Sequence, residues 1–232
     1  MIKAVFFDLY HTLVHYEPSQ EELEAGALKS FGINVTAEAL HRPILAANES
    51  IYQEMARRPL SQRSKEETMA LYAQYQRTVL NEAGVAADDK LVLKLLGMMQ
   101  QAKMKLVLFD DVAPALDDLK KRGLILGLIS NIERAMTETL KELGLSSKLD
   151  IVVTSQDAGF AKPRPEIFQY ALRQAGRQPS DAMYIGDQYQ VDVLGARGAG
   201  MKGILLDRGD YYKDVTDCPR IRSLSELSDY LR

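Results

Sequence analysis

The chain has 232 residues, with 29 Lys and Arg against 32 Asp and Glu, so its formal net charge is −3 at pH 7. This length suits one large domain, or a core with a second domain inserted into it. A nearly balanced charge, without a basic stripe interleaved with aromatic residues, argues against a dedicated nucleic-acid binder. No apolar stretch is long enough to span a membrane, and we expect no secretory leader because Asp8 interrupts the short apolar run near the N-terminus. The single cysteine, Cys218, fits a reducing compartment, so we expect a soluble cytoplasmic protein.

A short apolar run near the start of the chain ends in an acid. Residues 4–7, AVFF, are too few for a helix and predict a strand that is buried on both faces. Asp8 follows this strand directly, and a carboxylate in such a place is costly to desolvate unless neighbouring groups compensate for it. Ligands of open α/β sheets bind at the carboxyl ends of the strands. Asp8 is therefore the first candidate for the chemistry of this protein.

From about residue 19 to residue 103, the sequence favours successive helices. Ser19 and Ser64 each begin a capping box, and Thr36 is a candidate N-cap for another helix. We expect Pro43 to interrupt that helix or to follow shortly after its end. The pattern predicts a block of about four or five helices inserted after the first strand.

From residue 110 the sequence alternates between helix and strand patterns. Further buried strands are predicted at residues 124–129, 151–153, 183–185 and 203–206. Strands that alternate with helices imply a parallel sheet with right-handed crossovers. We therefore expect an α/β fold: a Rossmann-like parallel sheet with helices on both faces (residues 1–15 and 104–232) and an inserted α-helical cap (residues 16–103). Because the cap leaves from the end of the first strand, we expect it to lie over the same edge of the sheet.

Four of the predicted strands end in polar residues, namely Asp8, Ser130 with Asn131, Thr154 with Ser155, and Asp187. The carboxyl ends of parallel strands lie along one edge of the sheet, so we expect these side chains to share a site. The alternative is that each residue caps the helix that follows it, which is the commoner role of Ser, Thr and Asp at such positions. This alternative is weakest for Asp8, which ends a buried strand.

Four motifs occur at these strand ends or in the loops after them. They are DLYHT (residues 8–12), LISN (128–131), GFAKP (159–163), and GD (186–187) followed by Asp192 and GA (195–196). This set resembles the haloacid dehalogenase-like hydrolase superfamily, in the subgroup with a helical cap inserted after the first motif. The resemblance covers nearly the whole chain and is weakest in the cap.

The resemblance implies a role for each motif. Asp8 would be the nucleophile, which attacks an electrophile and forms a covalent intermediate. Thr12, Ser130 and Asn131 would bind the phosphate oxygens of a substrate. Lys162 would supply a positive charge that neutralises the anion or the nucleophile.

The resemblance also implies a Mg²⁺ site. Asp8 and Asp187 would bind the ion directly. The main-chain carbonyl of Tyr10 would add a third oxygen, and Asp192 would hold a metal-bound water or Lys162. Mg²⁺ prefers oxygen ligands and needs only one or two carboxylates from the protein. Taken singly, Lys162 fits a solvated surface lysine and Asp192 fits an acid at a helix N-terminus, so the combination of motifs favours chemistry.

The first motif departs from the pattern of phosphatases in this family. Those enzymes usually carry a second aspartate two residues after the nucleophile, which protonates the leaving oxygen, whereas this chain has Tyr10. Dehalogenases of the same superfamily typically have tyrosine there, because a halide leaves without a proton. His11 stands where glycine is common; it titrates near neutral pH, but we expect it to face the cap or solvent.

The last motif favours a phosphatase. Dehalogenases of the family tend to have Ser or Asn at the position of Asp187, and they use no metal. Here the three acids of the implied metal site oppose Lys162 alone, so a phosphate dianion needs a divalent cation in order to enter. We predict a Mg²⁺-dependent phosphatase that acts on a small phosphorylated molecule through an aspartyl-phosphate on Asp8. The alternatives are a metal-independent 2-haloacid dehalogenase with an ester intermediate, and a non-catalytic binding or regulatory protein.

Overall fold

The structure is a computed structural model that describes residues 1–132 and 136–231. Its strands are β1 (Ala4–Phe7), β2 (Val14–Glu17), β3 (Lys105–Leu108), β4 (Ile125–Ser130), β5 (Ile151–Thr154), β6 (Ala182–Gly186), β7 (Lys202–Leu206) and β8 (Arg220–Ile221). Six of them form one sheet in the order β5-β4-β1-β6-β7-β8, and each neighbouring pair is parallel. The prediction of an α/β fold built on a parallel sheet is confirmed.

Close packing at the centre of this sheet explains a glycine in a buried strand. Phe6 of β1 lies in register with Gly127 of β4 and with Tyr184 of β6. A side chain at Gly127 would overlap the Phe6 ring, so glycine is the residue that fits there. Phe6 also belongs to a buried cluster with Ile129 and Phe168. The strand that leads to Asp8 is therefore held on both sides.

The chain divides into two compact units, one formed by Met1–His15 with Val107–Arg232 and the other by Tyr16–Leu106. It passes from one unit to the other within β2 and β3, which pair as a separate two-stranded sheet. These strands were not predicted from the sequence, because each has four residues and neither shows a buried apolar run. Among the described residues, no helix combines the length and the apolar character that crossing a membrane requires.

The second unit contains α1 (Gln20–Ser30), α2 (Ala37–Arg57), α3 (Lys65–Glu82) and α4 (Asp89–Gln101). The predicted capping boxes at Ser19 and Ser64 are present, and Thr36 caps α2. The expectation for Pro43 was wrong, because this residue lies inside α2. Pro43 is buried in the second turn of the helix, where the packing of the α2 apolar face outweighs the loss of one main-chain hydrogen bond.

The first unit contains α5 (Val112–Lys121), α6 (Thr137–Glu142), α7 (Ser155–Ala158), α8 (Pro165–Ala175) and α9 (Leu194–Gly198). A π-helical turn, Tyr189–Val193, leads directly into α9. The capping box at Ser223 begins a 3₁₀ helix, Leu224–Tyr230. In this unit the end of β4 and the segments that follow β1, β4, α7 and β6 carry the predicted site residues.

Candidate active site

Asp8 lies directly after β1, and its main-chain N–H donates to the carbonyl of Ile185 at 2.9 Å. This bond extends the pairing of β1 with β6 by one residue and fixes the Asp8 main chain. The residue is 8% exposed, and Ser130 at the end of β4 is 2% exposed. Two of the predicted strand-end residues are therefore buried at the carboxyl edge of neighbouring strands.

The ammonium group of Lys162 joins three side chains. Its Nζ lies 2.6 Å from Oδ1 of Asp8, 2.7 Å from Oδ1 of Asp192 and 2.7 Å from the hydroxyl of Tyr184. Burial alone would lower the pKa of Lys162, but Asp192 and Asp8 together raise it above its ordinary value. Lys162 is 2% exposed, so the default interpretation of a solvated surface lysine does not apply.

The side chain of Asn131 fixes the loop that carries Lys162. Its Nδ2 donates to the Lys162 carbonyl at 2.9 Å, and its Oδ1 accepts from the Lys162 N–H at 2.6 Å. Both ends of this amide are therefore bound to the main chain of one residue. The contact between Asn131 and substrate stays a prediction.

The three acids of the implied metal site lie close together. Asp8, Asp187 and Asp192 each offer a carboxylate oxygen, and these oxygens all lie within 4.8 Å of one another. Oδ1 of Asp187 is buried and accepts no hydrogen bond from any described residue. An unpartnered buried carboxylate oxygen is costly, so this atom fits a cation ligand. The all-oxygen donor set also suits Mg²⁺.

Burial and mutual repulsion disfavour the charged forms of these acids. Burial raises the pKa of Asp8 to about 6, with Lys162 opposing this shift and Asp192 adding to it. Burial, followed by the charges of Asp192 and Asp8, raises the pKa of Asp187 well above its ordinary value. One ammonium group does not compensate three clustered carboxylates.

Asp192 reaches the site because the residue before Asp187 is a glycine. A Cβ atom on Gly186 would collide with the carboxyl group of Asp192. Asp192 Oδ2 accepts from the main-chain N–H of Gln188 at 3.0 Å, while Oδ1 binds Lys162. Both of its oxygens are thus bound by the protein, which supports the expectation that Asp192 holds Lys162.

The loop after β1 brings Thr12 into the buried interior. His11, in the place where glycine is common, has a φ of +59° in the left-handed region, which histidine adopts more readily than most residues. Thr12 is fully buried, and no described residue hydrogen-bonds to its Oγ1. Its carbonyl accepts from Arg208 at 2.9 Å, and the same guanidinium holds Asp111 through two bonds of 2.9 Å.

Two further residues, Thr154 and Tyr10, are also predicted at the site from the sequence. Thr154 forms a capping box with Asp157 at the start of α7, so the helix-cap interpretation is correct for Thr154. Tyr10 is half-buried next to the Asp8 loop, and the metal contact of its carbonyl stays a prediction.

Sequence reasoning missed Tyr184, Gln188 and Arg208. Tyr184 is fully buried, and burial raises the pKa of its hydroxyl well above the ordinary value, so the phenol keeps its proton. The sequence does offer one indication of Tyr184: it places a hydroxyl in an otherwise apolar strand. A buried hydroxyl of this kind needs a hydrogen-bond partner. Gln188 is buried beside Asp187 in the sequence, and its Oε1 has no hydrogen-bond partner among the described residues.

Known proteins that are similar to this chain include phosphatases and a dehalogenase. Residues 2–200 match the model of the haloacid dehalogenase-like hydrolases. The chain is 33% identical to a glyceraldehyde 3-phosphate phosphatase of Methanothermobacter thermautotrophicus, with all of both chains covered. It is 26% identical to a phosphoserine phosphatase of Thermus thermophilus, with 95% of each chain covered. Among solved structures, a 2-haloacid dehalogenase from Pseudomonas syringae is 27% identical, with a TM-score of 0.59 over 100% of this chain and 98% of that one.

Proposed function

The chain belongs to the haloacid dehalogenase-like hydrolases, and we propose that it is a Mg²⁺-dependent phosphatase acting on a small phosphorylated molecule. The prediction of this family, and with it that of a hydrolytic enzyme, is confirmed. One observation carries the proposal further: three carboxylates lie within 4.8 Å of one another, and one of them has a buried oxygen without a partner.

Charge is the main argument for phosphate rather than halide chemistry. A phosphate dianion that approaches Asp8, Asp187 and Asp192 is repelled unless a cation beyond Lys162 is present. A metal-free dehalogenase gains nothing from three clustered carboxylates, because they repel a departing halide. The cluster therefore suits a site that binds a divalent cation together with phosphate.

The ligands that we propose for the ion are Asp8, Asp187 and the main-chain carbonyl of Tyr10. When bound, Mg²⁺ neutralises charge on the carboxylates and on the phosphate oxygens. Asp192 takes part through Lys162, because both of its carboxylate oxygens are already hydrogen-bonded.

Asp8 is the proposed nucleophile. Lys162 holds its Oδ1 at 2.6 Å, which orients the carboxylate before substrate enters. Attack of the carboxylate on phosphorus forms an Asp8 acyl phosphate as the bond to the leaving oxygen breaks. Water then attacks this acyl phosphate, which releases inorganic phosphate and restores Asp8.

Thr12 and Ser130 are the proposed phosphate contacts. The Thr12 hydroxyl is buried and unpartnered among the described residues, so a phosphate oxygen would satisfy it. Ser130 is buried at the end of β4, the strand next to β1. Asn131 fixes the Lys162 loop, which keeps this part of the site in place.

The leaving group is where we expect this enzyme to be selective. Tyr10 replaces the usual general acid, whose contribution is typically about 10²–10⁴-fold in rate. Substrates whose leaving oxygen departs without a proton should therefore react best. The phosphatase relatives are named for glyceraldehyde 3-phosphate and phosphoserine, so we propose that three-carbon phosphate monoesters are the first natural compounds to test.

A 2-haloacid dehalogenase is the second candidate. Tyr10 and the 27% identical dehalogenase structure support it. In this reaction Asp8 would attack the carbon that bears the halogen, and the ester intermediate would then be hydrolysed. Asp187 is the residue that argues against it.

We propose that the helical unit, Tyr16–Leu106, acts as a cap and determines which substrate is accepted. Substitutions in this unit should then change KM between substrates more than they change the metal requirement. Equal effects on all substrates would contradict this role.

A paired assay on the purified protein tests the proposal. One arm measures phosphate release from an aryl phosphate, an acyl phosphate, glyceraldehyde 3-phosphate and phosphoserine, with and without Mg²⁺. The other arm measures chloride release from 2-chloropropionate. Asp8→Asn and Asp187→Asn are assayed beside the wild type in both arms.

Phosphate release that needs Mg²⁺ and disappears in both variants would support the phosphatase. Metal-independent chloride release that survives in Asp187→Asn would replace it with the dehalogenase. Binding of a phosphate analogue without turnover in either arm would favour the non-catalytic alternative.

A further inference from the structure

We propose that Tyr184 is a positioning residue that holds Lys162 against both Asp8 and Asp192. Its contact with Lys162 does not depend on which reaction is catalysed, whereas its effect on turnover rests on the proposed phosphatase function. Tyr184 belongs to none of the four motifs that identify the family.

The ammonium group of Lys162 has all of its hydrogens matched by acceptors. A lysine ammonium has three N–H donors. The structure gives them three acceptors, namely Asp8 Oδ1 at 2.6 Å, Asp192 Oδ1 at 2.7 Å and the Tyr184 hydroxyl at 2.7 Å. Removing the hydroxyl would leave a donor of a 2% exposed cation unsatisfied, and the ammonium would turn to share the remaining acceptors.

The phenol of Tyr184 also donates a hydrogen bond of its own. Because the Tyr184 oxygen accepts from Lys162, its own single hydrogen serves one acceptor. The carbonyl of Ile129 lies at 3.0 Å and Asp192 Oδ1 at 3.3 Å, so the shorter contact favours Ile129. Tyr184 on β6 is thereby tied to the main chain of β4, one residue before Ser130.

The ring of Tyr184 is held in place by its packing. The Tyr184 ring is fully buried and meets the Phe168 ring edge-on, with centroids 5.1 Å apart and an interplanar angle of 88°. Packing between the sheet and α8, rather than Lys162, therefore fixes where the hydroxyl lies. A rigid acceptor of this kind holds a flexible lysine side chain in one place.

Tyr184→Phe is the decisive variant, because it keeps the ring and removes the hydroxyl. We expect kcat on the aryl phosphate to fall by about tenfold or more, since a hydrogen bond to a charged group is lost, while KM changes by less than about threefold. Tyr75→Phe is the matched control: it removes a hydroxyl that accepts from Gln20 in the helical unit at 2.8 Å. This control should leave kcat unchanged.

A double-mutant cycle with Lys162→Met separates positioning from a general loss of packing. If Tyr184 acts through Lys162, adding Tyr184→Phe to Lys162→Met should not lower the residual kcat further. The same fold-loss in both backgrounds, or an unchanged kcat in Tyr184→Phe alone, would overturn the proposal.

The contact can also be tested without turnover. The same cycle measured by urea unfolding should be non-additive, and purely additive changes would overturn the inference even for an inactive protein. If Tyr184→Phe does not fold, ¹⁵N-lysine NMR of the wild type replaces it. There we expect a slowly exchanging ammonium signal that is absent from Lys162→Met and shows a nuclear Overhauser contact to the Tyr184 ring. The absence of this contact would overturn the proposal.

These measurements also separate the two proposals. A wild type that turns over no phosphate ester would contradict the proposed function, while the unfolding and NMR measurements would still decide the role of Tyr184.

Discussion

We propose that Tyr10 occupies the position of the residue that protonates the leaving group in related phosphatases. It lies two residues after Asp8 and is half-buried. If the proposal is right, an acid placed there would protonate the leaving oxygen. We expect Tyr10→Asp to raise kcat on alkyl phosphates by about tenfold or more, because their leaving oxygen needs a proton. Turnover of aryl phosphates should change little. Parallel rate measurements on one alkyl and one aryl phosphate check this.

The matched control for this change is Tyr10→Asn, which has the size of aspartate but no acidic proton. A gain of the same size in Tyr10→Asn would show that opening the site, rather than proton donation, raises the rate. A rate on alkyl phosphates that stays level in Tyr10→Asp would mean that Tyr10 does not stand at the general-acid position.

We expect Glu24 to make the stability of the protein depend on pH. This residue is 1% exposed and accepts from Gln76, and burial raises its pKa from 4.5 to about 6, with the Gln76 bond opposing the shift. A carboxyl whose pKa is raised on folding contributes its stability below the unfolded pKa and loses it as the pH rises through the folded pKa. The free energy of unfolding should therefore fall between about pH 4.5 and 6. At pH 7 the ionised form of Glu24 lowers it by about 2 kcal/mol.

Glu24→Gln should recover this loss. We expect it to raise the free energy of unfolding by up to about 2 kcal/mol at pH 7.5 and to give no gain at pH 4, measured by urea titration at both values. Glu82→Gln on α3 is the exposed control, which should show no such pH-dependent gain. A gain of equal size at both pH values would contradict the burial argument.

At the scale of elements, the end of β6 depends on a glycine. A Cβ on Gly186 would collide with the carboxyl group of Asp192, which belongs to the π-helical turn before α9. Gly186→Ala should displace that turn from Lys162, lower stability by about 1–3 kcal/mol and reduce kcat. Gly198→Ala on α9 is the control, because nothing lies within 4 Å of its added Cβ. Thermal unfolding and phosphate release compare the two, and similar effects would contradict this account.

The loop after β1 shows where sequence reasoning reaches its limit. The position of Asp8 follows from the strand that precedes it, and His11 in the left-handed region matches the common glycine. The bond from Arg208 to the Thr12 carbonyl joins residues 196 positions apart, and no local pattern predicts such a pairing. Arg208 also stacks on Phe109, with its guanidinium 3.9 Å from the ring centroid.

For the whole molecule, topology made much of the site predictable. In a parallel sheet the carboxyl ends of the strands meet at one edge, so Asp8, Ser130 and Asp187 were expected together from their places in the sequence. Asp207 shows why the rule is incomplete. It also follows a strand, β7, yet its carboxylate accepts from the main-chain N–H of Tyr211 at 2.7 Å and binds Arg220 at 2.9 Å, so it shapes a loop.

A metal that binds the folded protein, and not the unfolded chain, stabilises the whole molecule. At a free Mg²⁺ concentration 100 times the dissociation constant, the gain is about 2.7 kcal/mol. We expect a matching rise in the urea midpoint of the wild type, compared at equal ionic strength with NaCl. In Asp187→Asn this rise should disappear, because the substitution removes the carboxylate whose Oδ1 has no partner among the described residues.

The control for this experiment is Asp207→Asn, which changes another aspartate that follows a strand. Its carboxylate is held by main-chain N–H groups and Arg220, so the substitution should lower stability both with and without Mg²⁺. The increment caused by Mg²⁺ should stay the same as in the wild type, because this acid lies outside the three-carboxylate cluster. An increment that vanishes in Asp207→Asn, or persists in Asp187→Asn, would place the cation elsewhere.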